Sequence, residues 1–133
     1  MHDQELRKHL LELLRGGGAH LDFDKAVAGL PPELCGKRPA GIPHTPWRLI
    51  EHMRIAQGDI LEFCRNPQHV SPEWPTGYWP SGDAPASGPA WKKSVAQFRA
   101  DIDAMQRLVA DHNAYHLGQL VTVRRALGAW QDE

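Results

Sequence analysis

His112 and His116 stand four residues apart in the segment His112-Asn113-Ala114-Tyr115-His116-Leu117-Gly118-Gln119-Leu120. On a helix that spacing places two side chains one above the other on the same face. Two imidazoles so placed can close on one divalent ion, and zinc, nickel and iron all accept imidazole nitrogen. On a helical wheel His116 falls about 40° from His112, Val123 about 20° and Leu127 about 60°. Both histidines therefore belong to the apolar arc of the helix. A buried ring needs a polar partner, which is either a metal ion or another side chain. The zinc-protease pattern is absent, because the residue after the first histidine is Asn113 and not a glutamate that could act as base.

A third ligand must come from elsewhere in the chain. His52 lies in a helical stretch from about Pro46 to Arg65, opened by Thr45 as cap and Pro46 in the first turn. Ile50, Met53, Ala56, Ile60, Leu61 and Cys64 form its apolar face, with Glu51, Arg54, Glu62 and Arg65 opposite. His52 sits at the edge of that face, beside Ala56 and Phe63, where a ligand reaching between two helices would stand. The competing reading is a half-exposed histidine that binds nothing.

The elements around these residues are helical throughout, and no strand is expected. A first helix reads from about Asp3 to Arg15, with Leu6, Leu10, Leu13 and Leu14 at helical spacing and Gly16-Gly17-Gly18 after it. A short second helix fits within His20–Leu30, and Cys35 to Pro46 reads as loop. Asn66-Pro67 ends the His52 helix. From there to Pro89 six prolines forbid regular structure, and Trp74, Tyr78 and Trp79 suggest an ordered cover and not a linker. Beyond Ala90 no proline occurs. Trp91, Val95, Phe98, Ile102, Met105 and Val109 alternate in steps of four and three, which predicts a helix. Nothing breaks that pattern before Leu127, and a helix of that length would span roughly 55 Å. A domain of this size has no need of it.

The chain has 133 residues with 41% hydrophobic, which suits one domain over residues 1–133. A net charge of −1 gives no electrostatic case for nucleic acid. No apolar run is long enough for a membrane helix, and the first residues do not read as a signal peptide. Cys35 and Cys64 lie far apart, which suits reduced thiols and a cytoplasmic location.

Taken together, Pro46-Trp47-Arg48-Leu49-Ile50-Glu51-His52-Met53-Arg54-Ile55-Ala56 and the later His112 to Leu120 segment resemble the DinB/YfiT-like superfamily. The resemblance spans the chain from the first helix to Trp130. It implies an all-α, four-helix bundle of up-down-down-up topology, with a long proline-rich loop between the second and third long helices. It implies a homodimer, and a divalent metal ion, nickel or zinc, held by His52, His112 and His116. Family members usually carry a further loop and the opening turns of a separate last helix before the histidine pair. Here Met105 to Val109 runs almost directly into Asp111-His112. A segment is therefore expected to be missing near Val109–Ala110, and an unbroken helix across that point would refute this.

Three neutral imidazoles would leave the ion its full double charge and open positions. Such an ion lowers the pKa of bound water toward about 7, or favours a bound thiolate over the thiol. The expected activity is a metal-dependent thiol transferase or hydrolase acting on a small-molecule substrate, with a low-molecular-weight thiol as co-substrate. The alternatives are a stress protein that binds metal or a small molecule without turnover, and a dimerising helical module without metal. No catalytic residue is assigned. Glu51 is expected to be solvated, and Asp59 and Asp111 could orient imidazole N–H groups. Gln119 could line the pocket. His44 and His69 are expected to be exposed, Cys64 buried and Cys35 a loop thiol. The five tryptophans are expected to pack the bundle and its interface.

Overall fold

A computed structural model describes residues 3–15 and 21–126. Within the helices it excludes the side chains of residues 3, 6, 7, 10, 15, 109–117, 124 and 125. Every regular element among the described residues is helical: α1 (Asp3–Arg15), α2 (Phe23–Val27), α3 (Pro46–Arg65) and α4 (Gly88–Ala126), with single 3-10 turns at Pro32–Leu34 and Thr76–Tyr78. No helix among them is long and apolar enough to cross a membrane.

The boundaries follow local chemistry. Asp22 caps α2 by accepting from the Lys25 N–H at 2.8 Å, and α2 is only five residues long because the chain turns at Gly29, whose φ is +68°. Thr45 caps α3 by accepting from the Arg48 N–H at 3.1 Å, with Pro46 in the first turn. Thr45 is fully buried, and its hydroxyl also donates to the Asp83 carbonyl at 2.6 Å. One side chain thus starts α3 and ties the 66–87 loop to it. Gly36 meets the same loop closely: a Cβ there would stand 2.3 Å from the Ala84 Cβ.

The body of the protein is the pair α3 and α4, with Ile50, Leu61, Val95 and Phe98 buried between and beside them. Ser94 bonds Glu51, Gln57 Nε2 donates to the Phe98 carbonyl at 2.8 Å, and Gly58 faces Asp101. These pairs rise together along both helices, so α3 and α4 run parallel with an offset of about 42 residues. Arg65, the last residue of α3, then lies level with about Arg107. Phe23 covers the far side of Phe98, with ring centroids 4.2 Å apart.

Two expectations change here. α4 is one unbroken helix of 39 residues, so no break occurs at Val109–Ala110. The third and fourth helices of the expected bundle are a single helix in this chain, since nothing from Ala90 to Leu117 is a glycine or proline that could open a turn. The packed face of α3 follows its apolar residues only in part: Ile50 and Leu61 are buried as expected. Glu51 is buried, whereas Met53, Ile60 and Cys64 are exposed. Glu51 can be buried because Arg54 grips it with two hydrogen bonds of 2.8 Å and Ser94 donates a third. Leu49, Met53, Ile60 and Phe63 are left as an open stripe, 43–73% exposed, at steps of four and three about Ala56.

Candidate metal centre

His52 projects from the second turn of α3 and is half-buried. Two contacts fix its ring. Trp79 stacks on it with centroids 4.0 Å apart and planes 4° from parallel. Its Nδ1 lies 2.8 Å from the Tyr78 carbonyl oxygen. A carbonyl can only accept, so Nδ1 carries the hydrogen and Nε2 presents its lone pair. Ligating histidines typically show this arrangement, with one nitrogen donating to a carbonyl and the other free to bind.

The loop that supplies Tyr78 and Trp79 is itself held to α3. The Tyr78 hydroxyl donates to Asp59 Oδ2 at 2.7 Å, and His69 Nε2 donates to Asp59 Oδ1 at 2.7 Å. Hydrogen bonds from His69 and then Tyr78 lower the Asp59 pKa, while the bond to Asp59 raises that of Tyr78. Asp59 therefore orients His52 indirectly, through the residue whose carbonyl receives the ring N–H. Arg48 adds a guanidinium 5.5 Å from the Trp79 centroid and an ion pair of 3.5 Å with Asp83.

Several neighbours differ from their sequence reading. Glu51 is not solvated, and its pKa is lowered, first by the Arg54 hydrogen bonds and then by Ser94, against the opposing cost of burial. His69 is hydrogen-bonded to Asp59, with 18% of its side chain exposed. His44 stacks on Trp79 at 4.6 Å, and its Nδ1 is buried without a hydrogen-bond partner among the described residues. His44 lies against the aromatic loop and His69 within it, and a sequence reading does not show how that loop sits on α3. Cys64 is exposed and Cys35 buried, because the turn at Pro32–Leu34 folds Cys35 inward to within 3.7 Å of the Pro31 carbonyl. Burial raises the Cys35 thiol pKa. Trp74 is 76% exposed, touching Tyr78 edge-on, so it does not pack within the body of one chain.

His112 and His116 fall within α4, but their side chains lie outside the described residues, as does that of Asp111. Among the described residues no cluster of three or more histidine, cysteine or acidic side chains could hold a metal. No curated protein and no solved structure matches this chain. The profile of the DinB superfamily matches residues 17–131, covering α2, α3, the aromatic loop and the whole of α4. By that match over most of its length, with every regular element among the described residues helical, the chain belongs to the DinB superfamily.

Proposed function

We propose that this protein binds a divalent metal ion, nickel or zinc, through His52, His112 and His116, and that the ion serves a reaction of a low-molecular-weight thiol with a small electrophile. The observation that carries this reading is the His52 ring. Its Nδ1–H is committed to the Tyr78 carbonyl and its plane to Trp79, so its Nε2 lone pair is aimed before any ion arrives. Family membership supports it, as does the spacing of the histidine pair on one helix face. The three donors are neutral imidazoles, which suits a late first-row divalent ion. When bound, the ion would supply Lewis acidity sufficient to deprotonate a thiol or water at neutral pH.

The acids around His52 supply no general base. Glu51 is committed to Arg54 and Ser94, and Asp59 to His69 and Tyr78. Neither carboxylate is available for proton abstraction, so the reacting thiol, or water in a hydrolysis, would have to lose its proton through coordination to the ion. Binding without turnover remains the second reading, favoured by the same commitment of both acids.

The test is metal analysis of protein purified without a histidine tag. About one equivalent of nickel or zinc per chain is expected, with loss of nearly all of it in His52→Ala. Less than a tenth of an equivalent in the wild type, with stability unchanged in His116→Ala, would overturn the metal reading. A screen of electrophiles with bacillithiol, mycothiol or glutathione then separates enzyme from binder.

A further inference from the structure

The histidine pair and His52 are far apart along the axis of a single copy. His52 lies level with Ser94 on the parallel α4, and an unbroken helix carries residue 112 about 27 Å further on. The part of α4 beyond residue 107 has no α3 beside it. From Gly118 to Ala126 every described side chain except Val121 is exposed, Leu120 to 55% and Val123 to 52%. A lone amphipathic helix of this length is marginal in water. Meanwhile Leu49, Met53, Ile60 and Phe63 form a half-open apolar stripe on α3, bordered by His52, and its Leu49–Met53 end shares a cavity with Leu13, Leu14 and Leu21. The chain exposes 9892 Å² in all. A compact monomer of this mass exposes about 7,000 Å². The excess, about 2,900 Å², matches or exceeds what each copy buries in an obligate dimer.

About thirteen residues of the distal part of α4 can stand opposite α3 in an antiparallel pairing of two copies. Two α4 helices laid antiparallel about a two-fold axis near Ala104 would place residues 112–116 of one level with residues 92–96 of the other. Those residues lie beside residues 50–54 of α3, with His52 at the centre. The same operation lays residues 108–120 of one α4 along residues 46–58 of the other copy's α3, beside Leu49 and Met53. It also gives each half of the dimer an antiparallel fourth helix.

Resting on the metal reading above, we infer that two copies of this chain exchange the distal halves of α4, so that the partner's His112 and the partner's His116 complete the site begun by His52. Each site is incomplete in one copy, and the dimer holds two.

Complementation tests the shared site. His52→Ala and the double variant His112→Ala, His116→Ala each bind no metal alone. Refolded together, their mixed dimer regains one intact site, and metal binding returns to half the wild-type amount per mixed dimer. Wild-type binding with no recovery on mixing overturns the shared site while leaving the metal reading standing. Cross-linking tests the exchange whether or not metal binds. In a Cys64→Ser background, Leu49→Cys and Leu120→Cys are about 43 Å apart along one copy but within about 5 Å in level across the dimer. A short bis-maleimide should give a covalent dimer from the double variant and none from either single variant. A bridge formed only within one chain, or none, overturns the exchange. Wild type that cross-links but takes up no nickel or zinc overturns the metal reading alone.

Discussion

The Tyr78 carbonyl and the Trp79 face hold the His52 ring from two directions, and that ring is worth little without them. An imidazole on a half-exposed helix face samples several rotamers and two tautomers. Here one tautomer is selected by a carbonyl that cannot donate, and the ring plane by an indole 4.0 Å away. The loop that supplies both is tethered by the Tyr78 hydroxyl on Asp59. Tyr78→Phe keeps the backbone carbonyl and removes only the tether. It should weaken nickel or zinc binding by about tenfold, the lower end of the range for groups that orient a ligand, while leaving the metal-free protein folded. Titration calorimetry against the wild type decides this, and equal affinity would show that the loop holds its place without Asp59. Trp79→Ala removes the stacked face and should cost more. His52 was legible in the sequence as a candidate, but its orientation was not. The residues that orient it lie 26 and 27 positions downstream in a proline-rich loop with no periodicity to place them.

Among the elements, α3 carries the clearest lesson about what a helical pattern can and cannot tell. Its start was legible because Thr45 and Pro46 are chemically fitted to a helix N-terminus. The packed face was legible only at Ile50 and Leu61, because a wheel counts Glu51 as wet. Arg54 from the next turn and Ser94 from α4 satisfy the carboxylate, and the apolar stripe is left outside. Glu51→Ala would leave Arg54 and Ser94 without their acceptor and should cost about 2 kcal/mol, less than a fully buried pair because Arg54 is partly exposed. The pH dependence has a definite sign. The folded Glu51 pKa lies below its ordinary value of 4.5, so the unfolded state takes up the proton first on acidification. Its contribution is complete above pH 4.5 and drains away as pH falls through the folded value. Denaturant midpoints followed from neutral pH downward should fall less steeply in Glu51→Gln than in the wild type. Where the 66–87 loop meets Gly36, Gly36→Ala forces a Cβ to within 2.3 Å of the Ala84 Cβ. The loop must then withdraw, at about 1–3 kcal/mol, the usual cost of overpacking. A thermal midpoint lower by several degrees is the expected reading.

At the scale of the whole molecule, the decisive quantity is the length of chain between Val109 and His112. Antiparallel neighbours in a helical bundle are joined by connections of about 2–8 residues. This chain has none there, and the periodicity of α4 runs through the join without a glycine or proline. The unbroken pattern was visible in the sequence, but it led to the expectation of a missing segment and not to one long helix. Nor was its consequence visible, because periodicity marks a face and says nothing about which copy of the chain covers it. Shortening a hinge favours exchange of an element between copies, and lengthening it favours return of the element to its own chain. Insertion between Val109 and Ala110 of about six flexible glycine- and asparagine-rich residues, followed by about eleven helix-forming residues that bring the histidine pair back level with His52, should therefore turn the proposed exchanged dimer into a monomer. The distal helix, now free to reverse, would lie antiparallel on its own α3, covering Leu49, Met53, Ile60 and Phe63. Three readouts should move together. Sedimentation should report a mass near 14.9 kDa plus the insert. The melting temperature should lose the concentration dependence that an obligate dimer shows. Mixing the His52→Ala form of the insertion protein with its His112→Ala, His116→Ala form should no longer restore metal binding, although the unmutated insertion protein binds one ion per chain. An insertion variant that stays dimeric and still complements would mean that packing between copies, and not the missing turn, drives the exchange.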